Sequence, residues 1–112
     1  MEVRNYFIGN DIELEYADEG IKRRVVAYHD NLMCVEVHFE KHAVGAMHSH
    51  PHEQITYIIS GKFEFNIDGK KQVLGKGDST FKQPDIPHGA VCLEEGILLD
   101  IFTPCRKDFI KD

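Results

Sequence analysis

The stretch MCVEVHFE, residues 33–40, alternates apolar and polar side chains one by one. Met33, Val35, Val37 and Phe39 fall on one side, and Glu36, His38 and Glu40 on the other. A period of two is that of a strand with one buried face, not of a helix. Other segments read the same way. KRRVVAYH is a strand ending in an Asp30-Asn31 turn. ITYIIS and FEFNI read as two strands joined at Ser60-Gly61-Lys62, and Asp68-Gly69 is a hairpin signal before KKQVL. Gly75 and Gly77-Asp78 mark a further turn before the short STFKQ, which Pro84 and Pro87 end. GAVCL and GILLDIFTP read as the last strands, separated by Glu94-Glu95-Gly96. Only the tail, CRKDFIKD, suits a helical turn. Roughly nine or ten short strands, about 8 to 12 residues apart, predict an all-β sandwich or barrel with antiparallel pairing. Residues 1–20 are acidic and less regular, and are expected to form an edge strand or an arm onto a neighbouring molecule.

A chain of 112 residues is expected to form a single domain, residues 1–112. Its net charge of −6, from 19 acidic against 13 basic residues, argues against a surface that tracks phosphates, so no nucleic-acid partner is expected. A few local cations can still hold one small anion. No apolar run reaches the ~18 residues of a membrane span, so no membrane association is expected. The start, Met-Glu-Val-Arg-Asn, lacks the basic-then-apolar pattern of a secretory leader, and a cytoplasmic location is the expectation. Cys34, Cys92 and Cys105 are odd in number and widely spaced, which reads as reduced thiols.

Residues 48–54, HSHPHEQ, concentrate chemistry. On a strand, His48, His50, His52 and Gln54 would share one face. Imidazoles two residues apart can meet one ion, so the stretch predicts a site for one divalent transition metal ion: nickel, zinc, iron, manganese or copper. Pro51 introduces an ambiguity: a bulge there would break the parity at His52 or turn Glu53 inward in place of Gln54. A further ligand must come from elsewhere. His88, in PDIPHGAV, is the candidate, because Pro87 stiffens its approach and Gly89 leaves room beside it. A histidine-rich solvent edge is the structural alternative.

The stretch GAMHSHPHEQITYIISG resembles the first motif of the cupin family, and GKGDSTFKQPDIPHG resembles the second. The resemblance covers about residues 25–105. It implies a cupin-type double-stranded β-barrel (jelly roll), generally dimeric, with metal ligands at His48, His50, Gln54 and His88. Gln54 stands where the motif commonly has an acid, and neutral ligands leave an ion a stronger Lewis acid toward an anion or carbonyl.

HSHPHEQITY and the late LLDIFTPCRKDF are similar to the small single-domain cupins of pectin breakdown, the KdgF type. That resemblance implies ring opening of 4,5-unsaturated monouronates, from pectin or alginate, to linear 5-keto-4-deoxyuronate. Alternation places Asp100 and Phe102 on one face of the last strand, with Arg106 just beyond. The resemblance implies Asp100 as the acid/base, Phe102 as the wall against the sugar and Arg106 as the carboxylate binder. The implied partners are a small acidic sugar and a second copy of the chain. Read without it, Asp100 is a strand-end acid, Phe102 a core aromatic and Arg106 a surface cation. The run Lys22-Arg23-Arg24 reads as a solvated strand end or as an attractor of the sugar. Tyr57 has the opposite parity and should face an outer layer or a dimer partner. Two other functions fit a metal-bearing cupin: binding of a small anion without turnover, and oxygenation, which requires a redox metal.

Overall fold

The computed structural model describes residues 3–110. Its strands are β1 (Glu15–Asp18), β2 (Ile21–His29), β3 (Leu32–Phe39), β4 (Val44–His48), β5 (Glu53–Ile67), β6 (Lys70–Gly75), β7 (Ser79–Lys82) and β8 (His88–Thr103). Short 3-10 turns occupy Gly9–Asp11 and Lys107–Phe109. The second of these is the helical turn expected in the tail, whose last two residues lie outside the described residues. The alternation of β3 is realised in full, with Met33, Val35, Val37 and Phe39 buried. β1 is the edge strand expected among the first residues, paired with β2. Ile67 pairs with Lys70 across the Asp68-Gly69 turn, as a tight hairpin requires.

Two expected turns are absent. ITYIIS and FEFNI are one strand of 15 residues, and GAVCL and GILLDIFTP are one strand of 16. The reason is that β5 and β8 pair antiparallel with each other along both halves. The register slips between Ile58 and Phe63, where the ladder bends without reversing. Gly61 has a φ of 86°, and a Cβ there would lie 2.6 Å from both the Glu94 carbonyl oxygen and the Gly96 Cα. The glycines serve close backbone approach at a bend, a role that locally looks like a turn.

The bend makes two layers from one antiparallel network. The first halves of β5 and the second half of β8 sit in the order β1-β2-β3-β8-β5-β7. The remaining halves sit in the order β4-β8-β5-β6. The hydrogen-bonded path stays open, and the arrangement is a cupin-like jelly roll. Between the layers lie Val35, Val37 and Phe39 of β3, Ile58, Phe63 and Phe65 of β5, and Cys92, Leu98 and Phe102 of β8. Phe39 and Phe63 meet edge to face at 5.2 Å, the geometry favoured by ring quadrupoles. Cys34, Cys92 and Cys105 are free thiols, the last two buried. Among the described residues, no helix is long and apolar enough to cross a membrane.

The bend gives the first testable consequence. Gly61→Ala should lower the unfolding free energy by about 2–4 kcal/mol, combining left-handed strain with backbone overlap. Gly69 has a φ of 84° but nothing within 4 Å of a Cβ, so Gly69→Ala should cost only about 1 kcal/mol. Urea unfolding of both variants measures the difference, and equal losses would show that crowding at the bend is unimportant.

Candidate functional site

The histidine stretch does not form the single strand expected of it. His48 is the last residue of β4, residues 49–52 form a link that bends at Pro51 and His52, and β5 begins at Glu53. Pro51 sits in that bend, where a missing N–H costs no ladder bond. The bend still delivers two of its histidines to one place. β4 pairs with the start of β8 so that His48 lies opposite His88, with ring centroids 4.4 Å apart. His50 joins them, and the ligand atoms of His48, His50 and His88 all lie within 4.8 Å of one another. His52 is outside that group, its ring standing edge-on to His50 and Phe102. Glu53 is exposed, whereas Gln54 is buried and its Oε1 lies 2.9 Å from His50 Nε2. Gly89 leaves no spare room: a Cβ there would lie 2.8 Å from the Gly45 carbonyl, so β4 and β8 approach closely.

The hydrogen bonds determine what these imidazoles offer. His48 Nδ1 donates to the Ala46 carbonyl at 2.8 Å, His88 Nδ1 to the Ile86 carbonyl at 2.9 Å, and His50 Nδ1 to the His52 carbonyl at 3.2 Å. A carbonyl only accepts, so each Nδ1 carries the proton and each Nε2 presents a lone pair. This backbone support of the remote nitrogen is the usual second contact of a metal-binding histidine. Burial lowers the proton affinity of His50, against the raising effect of Gln54, and so favours the neutral ring. Burial likewise depresses His88 to about 4, with His48, Lys82 and His50 adding to the effect and the Ile86 bond opposing it. His88 Nε2 is buried without a hydrogen-bond partner. His50 Nε2 and Gln54 Oε1 then face each other as two acceptors, a contact that needs a cation to be favourable. The residues therefore fit a divalent metal ion.

The cavity beside them has a volume of about 350 Å³, within the range of small-molecule sites. His48, His88, Gln54, Asp100, Phe102 and Arg106 all line it. Gln54 pairs across the sheet with Phe102, and Thr56 with Asp100. Phe102 is only 2% exposed, and is at once a core residue and the cavity wall. Arg106 lies over the Phe102 and Phe109 rings, while its guanidinium donates to both Asp108 oxygens, at 3.3 and 2.8 Å.

Two lining residues, Thr56 and Lys82, escaped the sequence reading. Thr56 Oγ1 donates to Asp100 Oδ1 at 2.5 Å. Lys82 is 2% exposed and donates to Thr56 Oγ1 at 2.8 Å and Thr80 Oγ1 at 2.9 Å. Burial lowers its pKa to about 8, against the pull of Asp100. β7 carries Thr80 and Lys82 inward and exposes Phe81, so hydrophobicity alone predicts the wrong inner face. The cross-strand pairing of Lys82 with Gln54 is the signal that identifies it. Arg23 lies 3.7 Å over the Phe109 ring and reaches the cavity; it is no solvated strand end. Arg24 instead ties Gly9 and Ile12 to β2 through their carbonyls.

The depressed His88 pKa has a consequence for the metal-free protein. The unfolded chain takes a proton near 6.5, and the folded chain only near 4. Stability from this group is therefore fully present above about pH 6.5 and is lost as pH falls toward 4, by roughly 3 kcal/mol at most. Urea unfolding of chelated protein between pH 7.5 and 4 should show the decline, and His88→Gln should flatten it. A slope unchanged by the substitution would remove His88 as its source.

Residues 35–102 match the cupin domain model. The chain is 44% identical over 110 residues to the pectin degradation protein KdgF of Dickeya dadantii (strain 3937), covering 96% of this chain and 100% of that one. Among solved structures, an RmlC-like cupin from Shewanella frigidimarina NCIMB 400 superposes with a TM-score of 0.92 at 41% identity, over 96% of this chain and 97% of the other. KdgF from a Halomonas species superposes equally well, TM-score 0.92, at 36% identity over 96% and 100% of the two chains. Oxalate decarboxylase of Bacillus subtilis shares the fold, with a TM-score of 0.77 at 22% identity over 93% of this chain and 30% of that one. Domain match, fold and full-length likeness agree: this chain belongs to the cupin family, among the small single-domain proteins of the KdgF kind.

Proposed function

We propose that the protein is a pectin-degradation enzyme that opens the ring of a 4,5-unsaturated monouronate to give linear 5-keto-4-deoxyuronate. The observation that carries this reading is one cavity that brings ligand-type and proton-transfer groups together: His48 and His88, clustered with His50, line it or stand beside it with Gln54, next to Asp100 and Arg106. The full-length likeness to KdgF proteins supports the substrate class.

The substrate is a cyclic enol ether bearing a carboxylate. Product and substrate are isomers, so no electrons are lost or gained. Water adds across the double bond, the resulting hemiketal opens to a ketone as the ring C–O bond breaks, and the aldehyde hydrate so released at the other end of that bond loses one water, which restores the balance. One new C–H bond must form at the former alkene carbon distal to the carboxylate. A metal ion held by His48, His50, His88 and Gln54 supplies, when bound, Lewis acidity toward the carboxylate and ring oxygens. Asp100 carries the proton between carbon and oxygen, its first oxygen fixed by Thr56. Arg106 offers a planar fork for the carboxylate, in exchange for its present partner Asp108. Phe102 closes the apolar wall.

Freshly lyase-generated unsaturated monouronate loses its double-bond absorbance on opening. Protein should accelerate that loss, and chelation should abolish the acceleration. Asp100→Asn should lower kcat about 10²–10⁴-fold, and Arg106→Ala should mainly raise KM. No acceleration by metal-loaded protein would sink the enzyme reading and leave binding of a small anion without turnover.

The partner in solution is a second copy of the chain. The support is an outward sheet face carrying Ile55, Tyr57 and Phe81, 45%, 44% and 55% exposed, with Ile55 and Phe81 paired across strands. Among the described residues no layer covers Tyr57, which supports the dimer partner expected for it. Light scattering should give twice the chain mass, and a Tyr57→Glu/Phe81→Glu variant should halve it while staying folded; an unchanged mass would exclude this face. A cytoplasmic setting accords with the three free thiols.

A further inference from the structure

Thr56 has a hydroxyl with a single proton and two acceptor positions. Three groups surround it: Gln54 Nε2 at 3.1 Å, Lys82 Nζ at 2.8 Å and Asp100 Oδ1 at 2.5 Å. A lysine ammonium can only donate, which uses one acceptor position. An ionised carboxylate can only accept, which claims the proton. One acceptor position is left, and it takes the NH₂ end of Gln54. The opposite end of that amide, its oxygen, is then turned toward His50. Reversing the amide would require a second proton from Thr56, which does not exist, or protonation of Asp100. Lys82 cannot easily withdraw, because it is buried and its second bond is to Thr80.

We propose that Thr56, backed by Lys82, is the positioning residue of the site: one hydroxyl both aims the Gln54 oxygen at the histidines and holds Asp100 ready for proton transfer. The ligand amide and the carboxylate are thereby set by one proton. The Thr56 hydroxyl is taken up by Gln54, Lys82 and Asp100, so it acts through Gln54 and Asp100. The Asp100 half of this inference rests on the ring-opening reading, whereas the Gln54 half does not.

Two measurements test it separately. The first is cobalt(II) affinity, followed by its absorption in protein stripped of metal, with no substrate present. Thr56→Val keeps the shape and removes the hydroxyl, and should weaken cobalt about 10–100-fold, the usual effect of losing a partner behind a ligand. Thr56→Ser keeps the hydroxyl and should stay within about threefold. In a Gln54→Ala background, Thr56→Val should have little further effect on cobalt. Equal cobalt affinity in all Thr56 variants would overturn the Gln54 half.

The second measurement is steady-state ring opening at saturating cobalt. Thr56→Val and Lys82→Met should each lower kcat at least 10-fold with KM within about threefold, and Thr56→Ser should restore kcat. Added to Asp100→Asn, each should cost less than twofold more, because the group it positions is already gone. Multiplicative losses, or losses confined to KM, would show that Lys82 and Thr56 act on substrate independently and would overturn the Asp100 half. Should wild-type protein open no ring, the ring-opening reading and the Asp100 half fall together, and the cobalt series still decides the other half. Should Thr56→Val fail to fold, Thr56→Ala and Thr56→Cys take its place in both series.

Discussion

The pairing of β5 with β8 underlies everything else in this molecule. Both strands belong to both layers, so their shared bend at Gly61 and Gly96 turns one ladder into the two layers that flank the core. β3, β4, β6 and β7 all attach to one or other of these two strands. The first half of β5 contributes Gln54 and Thr56; β8 contributes His88 at its start and Asp100 and Phe102 near its end. A site assembled from the two ends of a bent strand is held at a spacing that the bend dictates.

Within this frame the polar groups divide the inner surface. The aromatic and aliphatic residues occupy the interior between layers, and a patch of inward polar residues occupies the mouth. Each buried polar group there has a specific partner, as burial demands. The carbonyls of Ala46, Ile86 and His52 orient the imidazoles, and Thr56 and Thr80 receive the lysine. His88 Nε2 and His52 Nδ1 are exceptions, and the first is the atom a metal would use. The Arg106–Asp108 pair at the rim shows that the guanidinium can take a carboxylate in its fork before any sugar arrives.

Much of this was legible in the residues alone, because the signals were local. The alternation of β3, the Asp68-Gly69 hairpin, and the clustering of His48, His50 and His88 all follow from side chains close in sequence or from a motif. The errors were of another kind. Gly61 and Gly96 looked like turn residues, since a glycine that reverses the chain and one that admits a neighbouring backbone have the same local signature. Only the long partner strand distinguishes them. The parity argument ran straight through Pro51, where the chain in fact bends, and it selected Gln54 because β5 starts just before it. Lys82 and Thr56 were missed because neither carries a local signal of its own. In β7 the apolar residue points out, and a buried lysine becomes visible only once its neighbours across the sheet are known.

The ligand-type side chains come from the end of β4, the link after it, the start of β5 and the start of β8. Those segments are distant in the chain and meet only when the β4–β8 and β5–β8 ladders have formed. The unfolded chain therefore has no comparable site. A cation held there is a thermodynamic clasp on the joint between the layers: at a free concentration about a thousand times its dissociation constant it adds on the order of 4 kcal/mol to stability. Metal supply would then govern how long the protein survives as well as how fast it works.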